Sequence, residues 1–203
     1  MEFNNVRAKV SLIAALAAIS WFAVSESTGA TPDTGPNVTF TAAGTFASPP
    51  ISGTDTLKLA GEPFSIAIVA AAGSVPIKHG RNWAVISPLK MTGVVHSGLL
   101  GSNPVNIASA GASIYQAVGP SYDPFQTAFP VRVVGISLTI DAQITLPAGT
   151  LAKPLIHPFA AVALSPANTI VTYSDGTNTT TLAVQSGTLA AALPTGGDAV
   201  RIK

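Results

Sequence analysis

The sequence predicts an all-β fold, a single antiparallel β-sandwich domain of about eight to twelve short strands. Three observations support this prediction. The chain contains 16 prolines and 18 glycines, which leave few windows long enough for a helix. Between these breaks lie short runs of Val, Ile, Thr, Leu and Phe, residues that favour strands. One run alternates strictly between apolar and polar residues, which is typical of a strand with one buried face.

Ile136–Leu146 is the strand that this alternation defines most clearly. Ile, Leu and Ala occupy every second position, and Ser, Thr, Asp and Gln occupy the positions between them. Upstream, Val131 and Val133 have the opposite parity, so one extra residue must be absorbed before the strand begins. Gly135 lies at this change of parity, and we therefore expect a β-bulge or bend there.

The other predicted strands are apolar or Thr-rich runs bounded by turn residues. They are Val38–Phe46, Asp55–Leu59, Phe64–Ala71, Trp83–Ile86, Lys90–Val95, Val105–Ala108, Ala112–Val118, Phe159–Leu164, Thr169–Tyr173, Thr179–Val184 and Gly187–Ala191. Asp175-Gly176 between two Thr-rich runs predicts a hairpin with the loop Ser174–Asn178. Pro88 cannot donate a ladder hydrogen bond and indicates an edge strand or a break. Gly119–Pro130, with three aromatic residues, is the longest segment predicted to be irregular.

The first thirty residues have the pattern of a secretory signal peptide. Arg7 and Lys9 precede the uncharged apolar run Val10–Val24, and a small-residue site follows that ends at Ala30. A transmembrane anchor is the alternative, but a helix of this run rises only about 22 Å against a hydrocarbon core of about 30 Å. We therefore expect cleavage after Ala30, a flexible leader over residues 31–36, and the sandwich domain over residues 37–203.

Composition narrows the environment and the partners. The chain has no cysteine, so neither disulfides nor a cysteine metal site can contribute to its stability, and we expect a bacterial source. The predicted location is secreted, or periplasmic and cell-surface. Charged residues make up 9% of the chain, and the net charge is only +1. Nucleic-acid binding needs several cations on one face, so the sequence predicts no nucleic-acid partner and, after cleavage, no membrane span.

No catalytic constellation is evident in the sequence, and we predict neither an enzyme nor a bound metal or cofactor. The histidines His79, His96 and His157 are too far apart for metal-ligand spacing. No Gly-x-Ser-x-Gly elbow is present, and the few carboxylates lie in predicted turns or on a solvated strand face.

Two clusters are ligand-binding candidates. The first is the segment containing His79, Arg81 and Trp83, where a flat indole beside polar side chains suits sugar stacking. Counting by twos across Pro88 places Trp83 on the same face as Leu89 and Met91, so a core position is the alternative. The second cluster is Tyr122 with Phe125 in the predicted long loop. Such a loop can bind a ligand or fold back to plug the end of a sandwich.

The sequence thus leaves three functions open. The first is an exported, non-catalytic β-sandwich with a structural or adhesive role at the cell surface or in the extracellular matrix. Its partners would be other surface or matrix proteins, bound through Thr-, Ser- and Ala-rich sheet faces or a free edge. The second is a module that binds carbohydrate or another small ligand, with a polysaccharide as the partner. The third and least favoured is a secreted hydrolase.

Overall fold

A computed structural model describes residues 37–71, 76–151 and 156–193. All of them belong to one compact unit of the chain. The predicted signal peptide, residues 1–30, and the predicted leader, residues 31–36, lie outside the described residues.

The described residues form ten β-strands and one short 3₁₀ turn, Gly98–Leu100. The strands are β1 Val38–Phe46, β2 Pro63–Ala70, β3 Pro76–His79, β4 Trp83–Ser97, β5 Asn103–Ala117, β6 Tyr122–Val133, β7 Ile136–Pro147, β8 Phe159–Leu164, β9 Thr169–Ser174 and β10 Thr179–Ala192. The all-β prediction is confirmed. Within the described ranges, no helix is long and apolar enough to cross a membrane.

The predicted sandwich is wrong, because the sheet closes into an antiparallel barrel of eight strands. The order is β1-β2-β4-β5-β6-β7-β9-β10, and β10 then pairs with β1 along most of its length. Alternation along a strand specifies which face is buried, but it carries no information on whether the first and last strands pair. Two strands lie outside the ring. Strand β3 pairs with β4, and strand β8 pairs with β10, which also pairs with β9.

A pair of glycines lies in the seam that closes the barrel. Gly44 of β1 is directly opposite Gly187 of β10. A Cβ atom added at Gly44 would lie 2.4 Å from the Ser186 carbonyl oxygen, and one added at Gly187 would lie 2.4 Å from the Ala43 carbonyl oxygen. The two backbones therefore approach more closely than any other residue type would allow.

Several strands are longer than predicted. Strand β4 joins the predicted Trp83–Ile86 and Lys90–Val95, and similar merging gives β5 and β10. Where β4 pairs with β5, the register shifts on both sides of Leu89, which accommodates Pro88 within a continuous strand. These shifts also change the parity, so that Ala84 and Ile86 are buried while Trp83 faces outward. The expectation that Trp83 shares a face with Leu89 is wrong for this reason.

Strand β6 occupies most of Gly119–Pro130, which the sequence predicted to be irregular. It pairs with β7 along its whole length but with β5 only over Phe125–Ala128. Pro124 and Pro130 flank that short span, so neither proline must donate a hydrogen bond to β5. The prolines obscured an alternating pattern that is in fact complete.

The parity change at Gly135 arises from a chain reversal and not from a bulge. Val133 pairs with Ile136, so Val134 and Gly135 form a two-residue hairpin turn with φ of 51° and 79°. Positive φ at both positions is the conformation of a type I′ turn. The predicted hairpin after β9 is confirmed, with a loop of residues 175–178 in which Asp175 accepts hydrogen bonds from the backbone N–H groups of Thr177 and Asn178.

The predicted strand Asp55–Leu59 is also wrong. It belongs to residues 47–62, which connect β1 to β2 and which we call the capping segment. Leu57 and Leu59 in this segment are buried in the core, and the hydroxyl of Ser97 at the end of β4 donates to the Leu57 carbonyl oxygen. The segment therefore folds across one end of the barrel, which its apolar residues close.

Candidate functional site

The interior of the barrel contains an apolar cavity of about 60 Å³, which we call the barrel cavity. Aromatic rings form much of its wall: Phe40, Phe46, Phe64, Phe125, Phe129 and Tyr173. Phe46 stacks on Phe64 with ring centroids 4.6 Å apart, and Phe40 lies 5.7 Å from Phe125. An eight-stranded barrel is just wide enough to be filled by side chains or to hold one small ligand, and here some space is left unfilled.

Small side chains on adjacent strands leave this space. Ala142 of β7 is directly opposite Thr127 of β6 and Val171 of β9, and all three line the cavity. Ala142 and Val171 point inward by alternation, yet both keep accessible surface. The inward side chains of these adjacent strands are therefore too small to fill the core at this level of the barrel.

The polar residues of the wall turn their polar atoms away from the cavity. The Thr127 hydroxyl donates to the Ser113 carbonyl oxygen at 2.9 Å, and the Thr169 hydroxyl donates to the Asn168 side chain at 2.9 Å. The Tyr173 hydroxyl donates to Asp55 at 2.7 Å. Since these groups already have partners, the surface that the cavity presents is apolar, and a water molecule there would lack hydrogen-bond partners.

Asp55 fixes the capping segment over one end of the cavity. Its Oδ1 accepts hydrogen bonds from the Leu59 backbone N–H at 3.0 Å and from the Tyr173 hydroxyl, and its Oδ2 accepts one from the Ala60 N–H at 2.7 Å. The Thr180 hydroxyl donates to the Thr54 carbonyl oxygen at 2.6 Å. Burial raises the pKa of Tyr173, and the hydrogen bond to Asp55 acts in the same direction.

A second carboxylate organises the opposite end. Asp123 is fully buried at an inward position of β6, and it accepts hydrogen bonds from the Gly119 N–H at 3.2 Å and the Leu151 N–H at 2.9 Å. These two donors lie in the connections before β6 and after β7. Asp123 thus holds both connections over the end of the barrel remote from the capping segment.

Gln116 is a further polar residue on the inner face near that end. It is 0% exposed, and it pairs with Ala84 of β4 and Phe125 of β6. Neither atom of its side-chain amide has a hydrogen-bond partner among the described residues. Buried polar groups in native proteins are nearly always paired, so this carboxamide requires an explanation.

The outer face carries a row of partly buried side chains across four strands. The ring centroids of Trp83 and Tyr115 are 6.3 Å apart, and Tyr115 is directly opposite Gln126. The Gln126 amide donates to both carboxylate oxygens of Asp141, at 3.1 and 2.8 Å. Burial raises the pKa of Asp141, and the hydrogen bond from Gln126 opposes this shift. Burial also raises the pKa of Tyr115. These contacts are chiefly cross-strand packing on the barrel exterior.

The structure separates the residues that the sequence proposed as ligand-binding. Phe125 is buried in the cavity wall, whereas its predicted partner Tyr122 is 51% exposed. His79 ends β3 and Arg81 lies in the following turn, both exposed. Trp83 is half-buried on the outer face against Gly80, where an added Cβ would lie 2.2 Å from the indole Nε1. The five candidates therefore do not form one site.

Sequence reasoning missed the residues that shape the barrel interior. Asp123 and Gln116 are the clearest cases, and the signal for Asp123 was available. The positions from Asp123 to Val133 alternate between inward and outward, which places Asp123 on the same face as Phe125. A polar residue at an inward position of a strand whose other inward residues are apolar is a candidate for burial.

In the part of the chain that the structure describes, no group of three or more His, Cys, Asp and Glu residues could hold a metal ion. No protein-family model, no curated protein and no solved structure matches this chain.

Proposed function

We propose that this protein is a non-catalytic binding protein that holds a small apolar molecule, or the alkyl part of one, inside the barrel. The observation that carries the proposal is the barrel cavity, an unfilled apolar space inside a closed ring of strands. Ligand sites in proteins are concave and mostly apolar, and small barrels that bind ligands do so in their interior.

The size of the cavity limits the occupant. An engineered cavity of about 150 Å³ binds benzene, so the occupant expected here is smaller, such as a xenon atom or a short alkyl chain. At about 24 cal/mol per Å³, the empty space costs about 1.4 kcal/mol of stability, which an apolar occupant would offset.

Methyl-group NMR tests this proposal with xenon and propane as probes, both smaller than benzene. We expect both probes to shift the methyl signals of Ile66, Val171 and Leu182, which line the cavity. The methyl signals of Ile51 and Ile77, which are 47% and 57% exposed, serve as the reference and should not move.

A cavity-filling variant supplies the matched control. Ala142→Val adds two methyl groups toward the cavity, and we expect it to abolish the response to both probes. Ala67→Val makes the same change on the outer face of β2 and should leave the response intact. Absence of any shift at the lining methyl groups in the wild type, or an unchanged response in Ala142→Val, would overturn the proposal.

The functions inferred from the sequence stay predictions. An adhesive role through strand addition would need a free edge. Since β1 and β10 pair with each other, the free edges among the described residues include those of the short outer strands β3 and β8. Carbohydrate stacking would need an open aromatic face. Trp83 already contacts Tyr115 and Gly80, so the exposed ring of Tyr122 is the remaining candidate. Export of the chain is compatible with ligand binding and is part of our proposal.

A further inference from the structure

The buried carboxamide of Gln116 is the least explained polar group in the described part of the chain. A Gln side chain has two N–H donors and a carbonyl oxygen with two lone pairs. None of these has a partner among the described residues, although the residue is 0% exposed. Leaving a buried polar group unpaired destabilises the folded state, and a suitable partner would remove this penalty.

Gln116 adjoins the barrel cavity through one residue. It is directly opposite Phe125 on the inner face, and side chains in such cross-strand pairs have Cβ atoms about 4.5–5.5 Å apart. Phe125 itself lines the cavity and packs on Phe40. Gln116 itself does not line the cavity, and Phe125 is the lining residue that pairs with it.

The neighbouring carboxylate shows that Gln116 is not needed to tie the loops together. Asp123 accepts the two backbone N–H groups that hold the connections at this end. The hydrogen bonds that close this end thus come from Asp123, and Gln116 adds none within the described residues. Its polar atoms remain free for another molecule.

We propose that Gln116 is the polar anchor of the ligand, so that the barrel binds a short neutral amphiphile and not a plain hydrocarbon. The alkyl part would occupy the barrel cavity, and the head group would lie beside the Gln116 carboxamide after Phe125 changes its rotamer. This inference rests on the proposed function, because it needs an occupant in the cavity.

The chemistry of Gln116 specifies the head group. A carboxamide donates and accepts at once, so its best complement is another group that does both, namely a primary carboxamide or a protonated carboxylic acid. A neutral carboxamide cannot compensate the buried charge of a carboxylate or an ammonium group. The ligand class is therefore an uncharged short-chain amide or acid.

Two isosteric probes and two variants test the anchor. Butanamide carries the head group, and 2-methylpentane replaces it with an apolar group of the same branching. Gln116→Met keeps the length of the side chain and removes its polar atoms. Gln185→Met makes the same change at an exposed position of β10 and is the control. Binding of each probe is measured by methyl-group NMR titration.

We expect Gln116→Met to weaken butanamide binding about tenfold or more, since the amide head would be left unpaired. Binding of 2-methylpentane should change less than about twofold, and Gln185→Met should affect neither probe. The side-chain NH₂ signal of Gln116 is identified by its absence from the spectrum of Gln116→Met. In the wild type, butanamide should shift this signal, whereas 2-methylpentane should leave it nearly unmoved.

The outcomes separate this inference from the proposed function. If 2-methylpentane binds but Gln116→Met leaves the affinity for butanamide unchanged, the anchor is refuted and the apolar cavity site stands. If the Gln116 NH₂ group shows a water cross-peak that persists in saturating butanamide, a buried water is its partner and the anchor is again refuted. If neither probe binds to the wild type although propane does, the anchor alone is refuted, and if propane also fails to bind, both proposals fail together.

Discussion

The carboxylate of Asp55 provides the sharpest test of how the barrel is closed. Asp55→Ala removes the acceptor of three hydrogen bonds, from the backbone N–H groups of Leu59 and Ala60 and from the Tyr173 hydroxyl. A hydrogen bond to a charged group contributes about 1.5–3 kcal/mol net. Because the three bonds share one carboxylate, their contributions are not additive, and we expect a loss of about 3–5 kcal/mol.

The buried leucines show why the capping segment should remain in place in this variant. Leu57 and Leu59 are 0% and 3% exposed. Exposing both would cost about 3–6 kcal/mol, which is no cheaper than leaving the donors unpaired. The variant should therefore remain folded as a barrel, with a lower unfolding midpoint and an unchanged dependence on denaturant.

Equilibrium urea unfolding, followed by far-UV circular dichroism, measures this effect. Tyr173→Phe is the graded control, because it removes one of the three bonds and should cost about 1–2 kcal/mol. Asp175→Ala removes a carboxylate that also accepts backbone N–H groups, but in an exposed turn, and its effect should be much smaller. The reasoning fails if Asp55→Ala costs no more than Tyr173→Phe.

Two further predictions concern the outer face and the seam. Burial raises the pKa of Asp141 above its usual 3.8, so its ionisation destabilises the fold as the pH rises through the shifted pKa. Asp141→Asn should therefore be more stable than the wild type at neutral pH, and urea midpoints should show this advantage shrinking towards pH 4. The pKa of Asp175 is lowered, so Asp175→Asn should be less stable than the wild type at neutral pH. If Asp175→Asn were instead more stable, as expected for Asp141→Asn, the argument would be contradicted. In the seam, Gly187→Ala should cost about 2–3 kcal/mol by overpacking, whereas Gly111→Ala, where the nearest atom is 3.5 Å from the added Cβ, should cost almost nothing in the same assay.

Strands with uninterrupted patterns could be predicted from the sequence almost residue by residue. Val38–Phe46 and Phe159–Leu164 have the predicted bounds, and Ile136–Leu146 differs from β7 by one residue. Prediction failed where proline signalled a break that tertiary pairing avoids. Pro88 is accommodated by register shifts in β4, and Pro124 lies beside a span of β6 that pairs with β5.

The candidate site was less accessible to sequence reasoning. Phe125 was identified, but as part of a loop with Tyr122, and the strand pairing places these two residues in different environments. The Gln116 carboxamide gave no signal, because Gln is common on exposed strand faces. Its burial depends on which neighbours β5 acquires, and the sequence does not state them.

The sequence by itself determined that this chain forms strands, because a two-residue alternation and frequent proline and glycine leave no other regular structure. It also determined which face of strands such as β7 is buried. Closure into a barrel was decided only by the tertiary structure, through the pairing of β1 with β10 and the close approach of Gly44 and Gly187. The physical reason is that side-chain periodicity is local to each strand, whereas closure and the cavity depend on residues that meet only when distant strands pair.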